Sequence, residues 1–156
     1  MDLTFTAIGT GRKINFSQLD LPTFILLVDQ HSYQAAIDFN PGIRQLIPEA
    51  DKLMIINVID LTTVPRLFHR LAKKYLRTAF NTAAAALPPG FDPWDYVLIL
   101  PDWNGSVQSA INLDHKPTES LLIAMDSNGK VFSKLTSAVP LQAAKKILID
   151  LDLIAG

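Results

Sequence analysis

Short, continuous apolar runs recur along the chain, separated by segments with helical spacing. Four runs of five to seven residues are apolar at nearly every position: 24–28, 53–59, 96–100 and 121–125. Runs of this length are typical of strands buried on both faces of a largely parallel sheet. A fifth strand is predicted at residues 130–135, because Gly129 closes a turn after the fourth run.

Between these strands the apolar residues recur at helical intervals. A first helix is predicted at residues 33–47, with Pro41 and Gly42 as a kink in its middle. A short helix follows the third strand, and a closing helix begins at Pro140. A second helix is predicted from i, i+3, i+4, i+7, i+11 spacing, which is typical of a face that packs on the core. Its apolar residues are Val64, Leu67, Phe68, Leu71 and Tyr75. The order of elements predicts one α/β domain over residues 1–156, with a mixed sheet.

Two segments lie outside this pattern. Residues 4–16, with Gly9 and Gly11 in the turn, are predicted to form a small added hairpin. Residues 78–95 end in a proline-rich stretch and predict a short helix followed by an irregular loop, either a mobile lid or a fixed connection. We expect Trp94 to pin this loop to the core, although it could instead cap a pocket.

The composition excludes several kinds of chemistry. The chain has 156 residues and no cysteine, with 14 Lys and Arg against 15 Asp and Glu. Without cysteine there is no thiol relay, no cysteine-ligated metal and no disulfide. A formal net charge of −1 argues against nucleic acid as a partner. No apolar run approaches the about 20 residues of a membrane span, and no targeting signal is evident, so we expect a cytoplasmic protein.

One stretch resembles a known family. The ordered residues that carry the resemblance are Asp102, Gly105, Ala110, Leu113, Pro117, Asp126, Gly129 and Val131. They resemble the second half of thioredoxin-like proteins, in particular the peroxiredoxin and thiol-disulfide redoxin (AhpC/TSA-like) branch. The resemblance extends back through residues 21–47 and implies a three-layer sandwich with helices on both sides of a mixed sheet.

The same resemblance shows what this chain lacks. When the sequences are aligned on Pro41, Tyr33 and Ala36 occupy the positions of the family's Cys-x-x-Cys motif, and Leu27 occupies that of its buried carboxylate. Tyrosine cannot exchange disulfides, alanine cannot resolve a mixed disulfide, and leucine cannot move a proton. The chain therefore resembles a cysteine-less member, without disulfide reductase or thiol peroxidase activity.

The resemblance implies that a docking platform remains. Pro117 matches the family's cis-proline, beside the helix that begins at Tyr33, and Lys116 makes the rim more cationic. The platform is predicted to comprise His31, Ser32, Tyr33, Ala36, Lys116 and Pro117. The first hypothesis is a redox-inactive binding or scaffolding module. The alternative is a non-redox enzyme or ligand-binding protein that uses the helix N-terminus near Ser32, Tyr33 and Lys116 as an anion or glutathione-like site.

Neither a metal nor another cofactor is predicted. His31 and His115 would lie on facing loops, and Asp29 or Asp114 could join them. However, the chain has only three histidines, and they are not in a ligand-spaced cluster. Asp29, His31 and Ser32 are too close in sequence to form a hydrolytic relay.

The second predicted helix carries a concentration of positive charge. Five basic residues lie on one side of it: Arg66, Arg70, Lys73, Lys74 and Arg77. Such a side is either a solvated helix face or a docking surface for an acidic protein or an anionic surface. No aromatic residues interleave the charges as they do in single-strand nucleic-acid binders. The sequence leaves the partner and the oligomeric state open.

Overall fold

The computed structural model describes residues 1–112 and 119–156. Within them, β1 (Thr4–Thr6) and β2 (Lys13–Asn15) pair antiparallel as a small N-terminal hairpin. The main sheet is formed by β3 (Thr23–Val28), β4 (Met54–Asp60), β5 (Ile99–Asp102), β6 (Ser120–Met125) and β7 (Val131–Ser137).

The strand order in this sheet is β5-β4-β3-β6-β7. β4 runs parallel to both β3 and β5, with Ile25 opposite Ile56 in the first of these pairs. β6 runs antiparallel to β3 and to β7. Every residue of β3 and β6 is buried, which explains why their sequences are continuous apolar runs.

The helices are α1 (Tyr33–Leu46), α2 (His69–Ala85), α3 (Pro93–Tyr96), α4 (Ser106–Ile111) and α5 (Pro140–Asp150), with 3-10 turns at Phe16–Gln18 and Arg66–Phe68. α1 and α5 cover one face of the sheet, where Phe39 and Leu148 are completely buried. The hairpin and α4 cover the other face, through Ile14 and Val107. The predicted three-layer α/β sandwich, with a mixed sheet and a small N-terminal hairpin, is confirmed. Within the described residues, no helix has the length and hydropathy that crossing a bilayer requires.

Two aspartates fix the turns on which the family resemblance rested. The carboxylate of Asp102 accepts hydrogen bonds from the backbone N–H groups of Ser106 and Val107, at 3.1 Å each, and so caps α4. Asp126 accepts from the N–H groups of Asn128 and Lys130 in the hairpin between β6 and β7. Both turns form where the sequence predicted them.

The third predicted strand is displaced toward the C-terminus. It was expected at residues 96–100, but β5 is Ile99–Asp102 and Tyr96 ends α3. Asp92 causes the shift, because its carboxylate accepts from the N–H of Trp94 and begins a helical turn before the strand. The hydroxyl of Tyr96 then donates to the carbonyl of Pro48 and accepts from the N–H of Ala50.

The segment at residues 78–95 differs from its prediction in its first half. The helix predicted there is present, but it is the C-terminal part of α2, which extends to Ala85, and not a separate short helix. The Arg12 guanidinium donates to the carbonyl oxygen of Trp94 at 2.8 Å, lies 5.7 Å from the centre of its ring, and pairs with Asp95. Trp94 is therefore held by the hairpin through its backbone, while its ring stays 46% exposed.

Candidate functional site

The N-terminus of α1 lies where the sequence predicted half of the docking platform. Tyr33 is the first residue of α1, and its side chain is 54% exposed. Ala36 packs in the first turn against the core beneath α1. Leu27, at the position of the family's buried carboxylate, is completely buried within β3. The start of α1 therefore presents an exposed phenol and a partly buried methyl group above an apolar strand.

Asp29 accepts hydrogen bonds from the two residues that precede this helix. Its Oδ1 atom accepts from the N–H of His31 at 2.8 Å, from the N–H of Ser32 at 3.1 Å and from the hydroxyl of Ser32 at 3.3 Å. The Ser32 hydroxyl oxygen also accepts from the N–H of Asp29. Ser32 is buried, so its hydroxyl is a structural group that closes a turn. His31 is exposed, with Nε2 at 3.3 Å from the Gln30 amide nitrogen.

The other half of the predicted platform, Lys116 and Pro117, lies outside the described residues, as do Asp114 and His115. The expected cis-proline is therefore a prediction that the structure does not test. In the chain up to residue 112 and from 119 onward, no three His, Asp or Glu side chains are grouped to hold a metal ion.

α2 differs from its prediction in the face that it buries. Four of its five expected core residues are exposed: Leu67 by 85%, Phe68 by 49%, Leu71 by 48% and Tyr75 by 68%. The fifth, Val64, is partly buried and packs on the core as expected. Leu76 is buried instead, and Ala72 and Phe80 pack beside it against Leu61, Val97 and Ile99 at the β5 edge of the sheet. The helix contains two apolar stripes, and the one that sequence periodicity did not select packs inward.

A stacking contact holds the start of α2 in this orientation. The rings of His69 and Trp103 lie 4.1 Å apart between centroids, and His69 Nε2 is 3.1 Å from the carbonyl oxygen of Val64. The Lys73 ammonium lies 5.8 Å from the centre of the Trp103 ring, within the range of a cation–π contact. This end of α2 is therefore tied to the loop after β5, which turns the larger apolar stripe toward solvent.

The predicted basic residues lie beside that exposed stripe. Arg66, Arg70, Lys73, Lys74 and Arg77 are all exposed, and none of them forms an ion pair with any residue that the structure describes. The sequence contains no Asp or Glu between residues 61 and 91. We call the five basic residues together with Leu67, Phe68, Leu71 and Tyr75 the α2 outer surface. Sequence reasoning found its charges but assigned its apolar residues to the core.

Comparison with known proteins identifies the fold. No protein-family model matches the chain, and no curated protein matches it. The exposed lipoprotein thioredoxin Etrx1 of Streptococcus pneumoniae superposes with a TM-score of 0.61 at 14% identity, over 94% of this chain and 99% of that one. StoA of Bacillus subtilis gives 0.58 at 11% identity, over 94% and 96% of the two chains.

A third solved structure agrees with these two. MTB DsbF, in mixed oxidised and reduced forms, gives a TM-score of 0.58 at 13% identity, over 96% of this chain and 95% of that one. Near-complete coverage in both directions shows that the whole architecture is shared, although few residues are. The chain therefore has the thioredoxin-like fold, in a sequence that contains no cysteine.

Proposed function

We propose that this protein is a redox-inactive thioredoxin-like module that binds another protein, with the α2 outer surface as its principal binding site. The observation that carries the proposal is the exposure of four large apolar side chains beside five basic ones that form no ion pair with any described residue. Solved structures with the same fold include a lipoprotein thioredoxin. In the sequence resemblance, Tyr33 and Ala36 take the positions of the Cys-x-x-Cys motif, and the chain contains no cysteine.

Folding alone gives no reason for this arrangement. Burying a Leu or Phe side chain stabilises a fold by about 1.5–3 kcal/mol, yet Leu67, Phe68, Leu71 and Tyr75 stay largely exposed on the outer side of this segment. Like charges at i, i+4, such as Arg70 with Lys74 and Lys73 with Arg77, destabilise a helix by about 0.2–0.5 kcal/mol per pair. Both features become favourable when a partner covers the apolar residues and neutralises the charge.

The alternative ligand site at the start of α1 has less support. An anion site there would need free N–H groups and a positive local field. The carboxylate of Asp29 instead accepts from the N–H groups of His31 and Ser32, so these two groups are not available to an anion. The Ser32 hydroxyl is likewise engaged, both as a donor to Asp29 and as an acceptor from it.

Display selection tests the binding function without assuming a partner. Random peptides displayed on phage would be selected against the immobilised protein and then measured individually. We expect selected peptides to lose binding to Arg70→Glu/Lys74→Glu and to retain it with Lys145→Glu/Lys146→Glu. The second variant makes the same charge change at two exposed positions of α5. Failure to select any peptide, or equal binding to both variants, contradicts the proposal.

The absence of thiol chemistry needs a separate measurement. Insulin reduction with dithiothreitol and peroxide consumption are both expected to equal the buffer control. Turnover above that control that is lost in Tyr33→Phe would show a chemistry at the α1 N-terminus that does not depend on cysteine, and would overturn the assignment as a binding module.

A further inference from the structure

We propose that the partner segment is an amphipathic helix with acidic side chains along one side only, packed lengthwise against α2. This inference rests on the proposed function and specifies the chemistry of the partner. The argument depends on how the exposed residues are ordered around α2.

The α2 outer surface consists of two parallel ridges. Leu67, Leu71 and Tyr75 are spaced by four residues and form an apolar ridge. The residue before each of them is basic: Arg66, Arg70 or Lys74. These three form a basic ridge that runs along one side of the apolar ridge. Residues four apart lie nearly above one another on an α-helix, so within α2 Leu71 lies below Tyr75 and Arg70 below Lys74. The first pair lies in the 3-10 turn that leads into α2.

A second helix fits such ridges directly. Helices pack by placing the i±4 ridges of one into the grooves of the other, and a helix of about three turns would cover both ridges. Helix-in-groove recognition uses apolar anchors at similar spacings. The apolar ridge would supply the anchors, because Leu71 and Tyr75 lose exposed surface on contact, whereas exposed ion pairs contribute mainly register and association rate.

The charge pattern favours an acidic peptide over a membrane. A helix that lies in a bilayer surface meets lipid headgroups along both of its long sides. Its basic residues are therefore expected on both sides of the apolar strip. Here the basic residues lie on one side of the apolar ridge only. Phe68 and Ala72 lie on its other side, next to the residues that pack on the core. Outside the α2 outer surface the chain has nine Lys and Arg against 15 Asp and Glu, so the rest of the molecule carries a net negative charge. An extended anionic surface would repel it.

The charge pattern also disfavours a second copy of this chain on the same surface. Two such surfaces would bring ten basic side chains together, without an acidic residue between positions 61 and 91 of either copy. An acidic helix removes this repulsion and covers the apolar ridge at the same time.

Three capped synthetic peptides of equal length test the inference. The first places leucine at i, i+4 and i+8 and glutamate along one adjacent ridge; the second replaces its glutamates with lysines; the third has the first composition in a scrambled, non-amphipathic order. Fluorescence anisotropy should show binding of the first peptide at least tenfold tighter than of the other two. Circular dichroism should show that it gains helix on binding, and its affinity should fall steeply as salt rises.

Variants of the protein locate the contact. Leu71→Ser and Tyr75→Ser should each weaken binding of the first peptide tenfold or more, and Arg70→Glu/Lys74→Glu should abolish it. Lys145→Glu/Lys146→Glu should leave it unchanged. All four altered positions of the α2 outer surface are exposed, so melting temperatures within a few degrees of the wild type will show that the fold is retained.

Other outcomes overturn the inference in distinguishable ways. Equal binding of the three peptides, or selected peptides that bind α2 in an extended form, overturns the helical partner and leaves the binding function standing. Sedimentation with phosphatidylserine vesicles but not with phosphatidylcholine vesicles, without peptide binding, assigns the surface to a membrane. Dimerisation that Leu71→Ser abolishes assigns it to a second copy. Failure of every peptide, designed or selected, overturns the binding function as well.

Discussion

Asp29 and Asp102 have the same role at the ends of two strands of the main sheet. Asp29 precedes α1, and Asp102 precedes α4. Each accepts hydrogen bonds from the backbone N–H groups of the turn that follows its strand. Asp102 is only 2% exposed, so its carboxylate is satisfied almost entirely by the start of α4. Such a buried charge stabilises the fold only while its donors stay in place.

The cap at Asp102 gives a prediction for stability. Asp102→Ala leaves the N–H groups of Ser106 and Val107 without acceptors in a dry environment, and should lower the free energy of unfolding by about 2–3 kcal/mol. Urea denaturation measures the change. Asp92→Ala is the matched control, because it removes an exposed cap from α3 and should cost only about 0.5–1 kcal/mol. Equal losses for the two variants would show that burial does not strengthen the Asp102 cap.

Asp29 gives a second prediction, about the pKa of a thiol introduced at position 33. Tyr33→Cys/Ala36→Cys introduces a Cys-x-x-Cys motif at the start of α1, where a helix N-terminus normally lowers a thiol pKa. Because the Asp29 carboxylate adds negative charge there, we expect the pKa of the new thiol at position 33 to stay close to the ordinary value of about 8.5. Iodoacetamide alkylation as a function of pH measures it.

The control for this prediction changes charge but not shape. Adding Asp29→Asn removes the negative charge and keeps an oxygen acceptor, so the pKa of the thiol introduced at position 33 should fall. A thiol that is already acidic before this third substitution would contradict the role given to Asp29.

At the scale of elements, sequence periodicity located the strands and helices but could not choose between the faces of α2. Leu67, Leu71 and Tyr75 form the stronger hydrophobic pattern, yet Leu76 and Phe80 contact the core. Contacts with residues distant in sequence, such as that between the rings of Trp103 and His69, determine which face packs inward. A local sequence pattern does not contain this information. For the same reason the charges of the candidate site could be predicted, whereas its apolar half could not.

The buried strands were easier to predict, because a strand covered on both faces is apolar at nearly every position. β3, β4 and β6 therefore lie within one residue of their predicted bounds. β5 moved because the Asp92 cap, a single side-chain hydrogen bond, extended a helical turn into an apolar stretch.

The hairpin and α2 meet at a glycine, which predicts how firmly they are joined. A Cβ atom on Gly9 would lie 2.3–2.5 Å from the ring of Phe80, and Gly9 has φ of +84°. Gly11 has φ of +71° with open space around it. Gly11→Ala should therefore cost only the left-handed backbone strain, about 1–2 kcal/mol. Gly9→Ala should cost about 1–3 kcal/mol more, from overpacking against Phe80.

A double-mutant cycle separates these two costs. Combining Gly9→Ala with Phe80→Ala should recover most of the extra loss, because the new methyl group would occupy space left by the ring. Strictly additive losses in urea denaturation would mean that the hairpin and α2 do not press on each other at this point.

At the scale of the whole molecule, charge is separated unevenly. Residues 61–91 contain five basic and no acidic residues, while the chain as a whole has a formal net charge of −1. The positive end of the molecule therefore coincides with the exposed apolar stripe of α2. A partner of opposite charge would be oriented toward this end before contact.

This separation predicts that the fold gains stability when a positive charge is removed. Arg70→Glu converts the repulsive i, i+4 relation with Lys74 into an attractive one, and should raise the free energy of unfolding by roughly 0.5–1 kcal/mol at low salt. The gain should shrink at about 1 M salt. Lys145→Glu is the control, since no charged residue lies three or four positions from it in α5. Destabilisation by Arg70→Glu would mean that Arg70 has a structural role.

The contacts at both ends of α2 also affect how fast a partner can associate. His69 on Trp103 holds the first turn, and Gly9 against Phe80 holds the helix farther along. The ridge residues from Arg70 to Tyr75 lie between these two contacts and need no backbone rearrangement to meet a partner, so little conformational entropy is lost on this side of the complex. Association should then follow a single kinetic phase, limited by collision and by the folding of the incoming peptide, and not by rearrangement of the protein.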